Sequence, residues 1–107
     1  MAAQADRDLV VEKARAYVGR LRENNVAVWR VYLFGSYAKG THDEDSDIDL
    51  AVFLDQEEID GFDEGVVLTR LRRGIDARIE AHAFAKSDME DQDPMIREIL
   101  RTGERIV

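Results

Sequence analysis

A chain of 107 residues with 23 acidic and 15 basic side chains, net charge −8, has room for one hydrophobic core and not for two. The excess of acid and the lack of any basic stretch argue against extended binding to a nucleic-acid backbone, where Lys and Arg contacts to phosphate dominate affinity. There is no cysteine for a disulfide or a thiolate metal site, no apolar run of membrane-spanning length and no signal-peptide pattern, so a soluble cytoplasmic protein is the expectation.

In chain order, residues 6–24 read as an amphipathic helix. Val10, Ala14, Tyr17, Val18 and Leu21 recur at three- and four-residue steps and form its core stripe, Asp6 or Asp8 caps the start, and Asn24-Asn25 suits the exit. Residues 26–34 are rich in β-branched and aromatic side chains and read as a strand in which Trp29 and Tyr32 fill the core. A short helix over 36–39 and a loop over 41–46 follow, with His42 beside Asp43, Glu44 and Asp45 as a solvated loop histidine rather than a metal ligand. Residues 47–54 form the second strand, and the acidic stretch 55–65, with two glycines and no clear periodicity, reads as a loop. A short helix over 66–73 turns Val67, Leu68 and Leu71 inward. Residues 75–84 alternate as a third strand, with Asp76, Arg78, Glu80 and His82 on one face and Ile75, Ala77, Ile79 and Ala81 on the other. Pro94 starts a helix that ends near Arg101 with Thr102-Gly103 as its stop, and 104–107 is a short apolar-tipped tail.

The chemistry concentrates between Leu33 and Val52. Gly35 and Ser36 follow an apolar strand, where free backbone N–H groups and a hydroxyl can meet phosphate oxygens. Gly40 follows, and then Asp47 and Asp49 flank Ile48 at the head of the next strand, on one face of it. Two such carboxylates repel unless a cation sits between them, and hard oxygen ligands suit Mg²⁺. One stretch thus offers a phosphate cradle and a metal-binding pair.

Gly35-Ser36, ten residues, then Asp47-Ile48-Asp49 resembles the Gly-Ser-x10-Asp-x-Asp pattern of the DNA polymerase β-like nucleotidyltransferase superfamily, and the short chain resembles its minimal nucleotidyltransferase branch. Arg73 to Ile79, with Ile75-Asp76-Ala77-Arg78-Ile79 at its centre, resembles the strand that carries the family's third carboxylate. The resemblance implies an α/β (α+β) fold, a small mixed β-sheet with helices packed on it in the manner of a polymerase β-like palm, as a single domain over 1–107. It also implies two Mg²⁺ ions, or Mn²⁺, held by Asp47, Asp49 and Asp76, with Glu80 the competitor for the third place. ATP would be the substrate, its phosphates held by Gly35, Ser36 and Gly40, with Lys39 adding a charge-assisted contact or lying in solvent. Arg78 would pair with a carboxylate.

Members of that branch are often encoded beside HEPN-domain proteins as toxin–antitoxin pairs. The resemblance therefore implies an antitoxin that transfers AMP to a tyrosine of a HEPN toxin. A non-catalytic antitoxin acting by contact and a small-molecule transferase of the aminoglycoside type are the alternatives. A chain this small leaves room for a partner to complete the site, or for a homo-oligomer.

Overall fold

The computed structural model describes residues 2–43, 45–90 and 93–107, with backbone alone for 2–5; Glu44, read above as part of the acidic loop, lies outside the described residues. Four helices and four strands are found among them: α1 (Ala2–Glu23), β1 (Val28–Phe34), α2 (Ser36–Lys39), β2 (Ile48–Leu54), α3 (Gly61–Leu71), β3 (Ile79–Ala85), α4 (Pro94–Thr102) and β4 (Glu104–Arg105), with a 3₁₀ turn over Lys86–Glu90. The sheet runs β3-β2-β1-β4. β1 is antiparallel to β2 and β4, and β3 is parallel to β2, so the sheet is mixed, as expected. The crossover from β2 to β3 carries α3, as a parallel pair requires.

The α1 stripe is buried as its periodicity predicts: Val10, Ala14, Tyr17, Val18 and Leu21 are all at most 2% exposed. The helix ends where Asn25 takes a left-handed turn at φ 64°, and Val26 N–H donates back to Leu21 O at 3.0 Å. α1, α3 and one face of the sheet (Val31, Leu33, Ile48, Leu50, Val52, Leu54, Ile79) make the larger core. Tyr17 OH donates to Leu68 O at 2.5 Å inside it, and burial pushes that phenol well up from its ordinary pKa. On the other face Tyr32, Ala51 and Phe53 pack under Ile96 and Ile99 of α4.

Four boundaries differ from the sequence reading. α1 begins at Ala2 rather than 6, so Asp6 and Asp8 lie within the helix instead of capping it. α3 begins at Gly61 rather than 66, because the Asp60 side chain accepts from the N–H groups of Phe62 and Asp63. Such a cap contributes about 1 kcal/mol and offsets the poor helix propensity of Gly61 and Gly65. β3 begins at Ile79 rather than 75, since residues 72–78 are held in turns that include Ile75 N–H to Arg72 O at 3.0 Å and Ile79 N–H to Asp76 O at 3.2 Å. The tail is an edge strand: Glu104 and Arg105 pair with Leu33 and Tyr32, and Ile106 N–H donates to Val31 O at 2.8 Å. Gly103 makes this return possible, because a Cβ there would sit 2.5 Å from Ile99 O and 3.0 Å from Leu33 O. Trp29, read as core, is half-buried beneath Arg30 and Lys86, whose charged groups lie 4.3 and 4.9 Å from its ring centre.

Candidate active site

Register places the chemistry at one end of the sheet. Phe34 of β1 lies opposite Asp49 of β2, and Asp49 lies opposite Glu80 of β3. Asp49 belongs to the strand face that carries Ala51 and Phe53 under α4, and Glu80, His82 and Phe84 alternate onto the same side. One ligand atom each from Asp49, Glu80 and His82 lies within 4.8 Å of the others. His82 Nε2 stands 4.0 Å from Asp49 Oδ1, and the His82 ring tilts against Phe34 with centroids 5.4 Å apart.

The electrostatics mark Asp49 as a site of unbalanced charge. Burial raises its pKa, the Glu80 carboxylate raises it further, His82 lowers it, and Asp47 adds a smaller push upward. Asp47 itself stands exposed just before β2, outside the three-residue cluster but close enough for its field to be felt at Asp49. Carboxylates this close together fit a divalent metal, and their oxygens suit Mg²⁺ or Mn²⁺, while the His82 imidazole is a donor that Mg²⁺ does not favour.

Gly35 closes the site from β1. It has φ 75° and ψ −149°, and a Cβ built on it would run into Asp49 Oδ2 and come 3.3 Å from Cγ. Only glycine allows the turn after β1 to lie against the metal-ligand candidate. Ser36 then opens α2, and Gly40 ends it in a left-handed cap at φ 74°. Lys39 faces Glu98 of α4 at 3.8 Å, both exposed, rather than standing alone at the turn. The loop before Asp47 is tied by Asp43, whose Oδ1 accepts from Asp45 N–H at 2.9 Å and whose N–H donates to Ser46 Oγ at 2.9 Å.

Two sequence expectations need correction. Asp76 does not stand beside Asp47 and Asp49, because it precedes β3 and its carboxyl turns toward α1. Lys13 Nζ donates to Asp76 Oδ2 at 2.7 Å, and Arg78 clasps the same carboxylate through its guanidinium at 2.8 Å and its backbone N–H at 2.8 Å. The Arg78 bonds, with help from Lys13, hold the Asp76 carboxyl well below the usual carboxylate range. Arg78 also donates to Tyr37 OH at 2.9 Å, so the pairing expected of it is with Asp76 and the wall of the core. Glu80, weighed as the competitor, takes the place beside Asp49 because strand pairing starts four residues later than the alternation suggested.

The second correction concerns His42, which is not solvated. Its side chain is 7% exposed and stacks on Tyr37 with ring centroids 4.3 Å apart, and its buried Nδ1 has no hydrogen-bond partner among the described residues. The sequence alternation puts His82 on the face of Glu80 without marking it as part of a site. The signal was there in the alternation of Glu80, His82 and Phe84, and the register with β2 supplies what the alternation lacked.

A four-stranded mixed sheet with helices on both faces, a glycine turn against a strand-borne aspartate and a carboxylate from the neighbouring parallel strand define a small nucleotidyltransferase fold. The chain belongs to the nucleotidyltransferase domain family, which matches residues 11–101. Among curated protein sequences nothing matches it. Solved structures share the fold. One is a Sulfolobus solfataricus protein assigned as a nucleotidyltransferase, with TM-score 0.67 and 22% identity over 84% of this chain and 79% of that one. A toxin–antitoxin structure with AMP-PNP has TM-score 0.64 and 23% identity over 91% of this chain and 72% of that one. A mutant of the toxin–antitoxin MntA-HpeT has TM-score 0.62 and 21% identity over 87% and 71%.

Proposed function

We propose that the chain is a single-domain minimal nucleotidyltransferase that transfers AMP from ATP to a hydroxyl, the acceptor being a tyrosine of a HEPN-domain toxin that it neutralises. The observation that carries this reading is the meeting of Gly35, Asp49 and Glu80 at one end of the sheet. In it Asp47, Asp49 and Glu80 are the metal-holding carboxylates, His82 flanks them, and Asp76 is a structural anchor. The likeness to toxin–antitoxin structures supports an antitoxin role.

Bound between these carboxylates, Mg²⁺ or Mn²⁺ would neutralise the triphosphate and lower the pKa of the acceptor hydroxyl. The chain's own groups do the rest. Gly35 brings backbone against the site so that phosphate can approach closely, and Ser36 Oγ donates to a phosphate oxygen. Gly40 ends the turn that carries them, and Lys39, released from Glu98, adds positive charge beside the leaving group. Glu80, as the exposed member of the cluster, accepts the proton of the attacking hydroxyl.

Labelled ATP, Mg²⁺ and a purified HEPN-domain toxin provide the test. Wild type should transfer label and the mass of AMP to the partner, Glu80→Gln should not, and Asp76→Asn should retain transfer if it folds. Transfer by Glu80→Gln at the wild-type rate, with Asp76→Asn folded but inactive, would return the third carboxylate to Asp76. A partner neutralised without modification would leave contact as the mechanism.

A further inference from the structure

Among the described residues, α3 presents an uncovered stripe to solvent. Leu68 and Leu71 turn into the core, while Phe62 is 79% exposed and Val66 43%. Phe62, Val66, Thr69, Arg70 and Arg73 follow one face of the helix and its continuation. Beside Val66 opens a hollow of about 510 Å³, lined by Val66, Thr69, Gly74 and Ala77 together with Arg70, Arg72 and Arg73. An exposed aromatic next to a hollow lined by arginines and small residues is the composition of an interface, where aromatic and arginine side chains are enriched.

Charge along this element is sorted by sign. Glu57, Glu58, Asp60 and Asp63 lie at its start, and Arg70, Arg72 and Arg73 at its end. Such a surface complements itself. A second copy turned about a two-fold axis through Val66 sets the acidic start of one helix beside the basic end of the other. Phe62 then lies at the level of Arg70 and enters the partner's hollow, and Asp63 comes within a turn of Arg73. Antiparallel helix dipoles favour the same arrangement, and a two-fold contact uses one patch twice.

We infer that this chain forms a two-fold homodimer through the outer faces of α3. α3 packs against the sheet face opposite to Asp49 and Glu80, so both candidate active sites stay open in the pair. The inference is independent of which nucleotide or acceptor the site uses.

Sedimentation velocity on the purified chain, from micromolar to near-millimolar concentration, tests it. Wild type should pass from monomer to dimer. Phe62→Ser should weaken association by about thirtyfold or more, the loss of an interface anchor, with circular dichroism unchanged because Phe62 is exposed. Arg73→Glu and Asp63→Arg should each be monomeric alone and pair when mixed, since the mixture restores both opposite-charge contacts. A wild type that stays monomeric throughout overturns the inference, as does a dimer that Phe62→Ser and both charge reversals leave intact.

Discussion

Asp76 and Asp49 sit a few residues from the same strand pair, and their surroundings drive the two carboxyls in opposite directions. Asp76 receives Lys13 and Arg78, its side chain is 9% exposed, and its pKa falls. Asp49 receives burial and the fields of Glu80 and Asp47, with only His82 in opposition, and its pKa rises. Charge balanced inside the fold contributes to stability, whereas charge left unbalanced awaits something from outside. The comparison assigns anchoring to the α1 side of the sheet and chemistry to the α4 side.

The largest expected effect lies on the unbalanced side. Glu80→Gln should slow nucleotidyl transfer by about 10²–10³-fold, the cost of one lost electrostatic group, while leaving the thermal unfolding midpoint nearly unchanged. Single-turnover assays with Mg²⁺ read the rate. An unaltered rate would break the division between the two regions.

Gly35→Ala tests how closely the turn must lie against Asp49. The backbone at φ 75° and ψ −149° lies in a region essentially reserved for glycine and costs an alanine about 1–3 kcal/mol, and the new Cβ displaces Asp49 Oδ2 in addition. Calorimetry should show metal-dependent ATP binding weakened at least tenfold, beside a loss of about 2 kcal/mol of stability by urea titration.

On the balanced side, Asp76→Asn should cost about 1.5–3 kcal/mol through weakened hydrogen bonds to two cations and leave ATP affinity unchanged. The pH dependence has a definite sign. A carboxyl whose folded pKa is depressed stabilises the protein above its unfolded value near 4, and that contribution is lost as pH falls toward the folded pKa. The gap in urea stability between wild type and Asp76→Asn should therefore be widest at neutral pH and narrow below about pH 4.

The smallest effect is opposite in sign. Because the folded protein raises the pKa of Asp49, ionisation there opposes folding as pH rises above the unfolded value near 4. With chelator present, Asp49→Asn should match wild type at low pH and exceed it at neutral pH. Added Mg²⁺ should stabilise wild type alone.

The sequence by itself determined the α1 core stripe and the Gly35-Ser36 and Asp47-x-Asp49 spacing, because these depend on residues near one another in the chain, and the resemblance carried by that spacing implied the fold class. A buried stripe follows from helical period alone, whereas strand period did not reveal that β2 begins at Ile48 and leaves Asp47 outside the cluster around Asp49. The start of α3 was hidden because two glycines masked a helix that the Asp60 cap holds in place. The partner of Asp49 was beyond local reading. Both Asp76 and Glu80 sit at even spacing in a run that alternates, and only the pairing of Asp49 with Glu80, and the capture of Asp76 by Lys13 from a helix 63 residues away, separates them. Register and long-range ion pairing are properties of the packed sheet, so the tertiary structure alone could choose between the two acids.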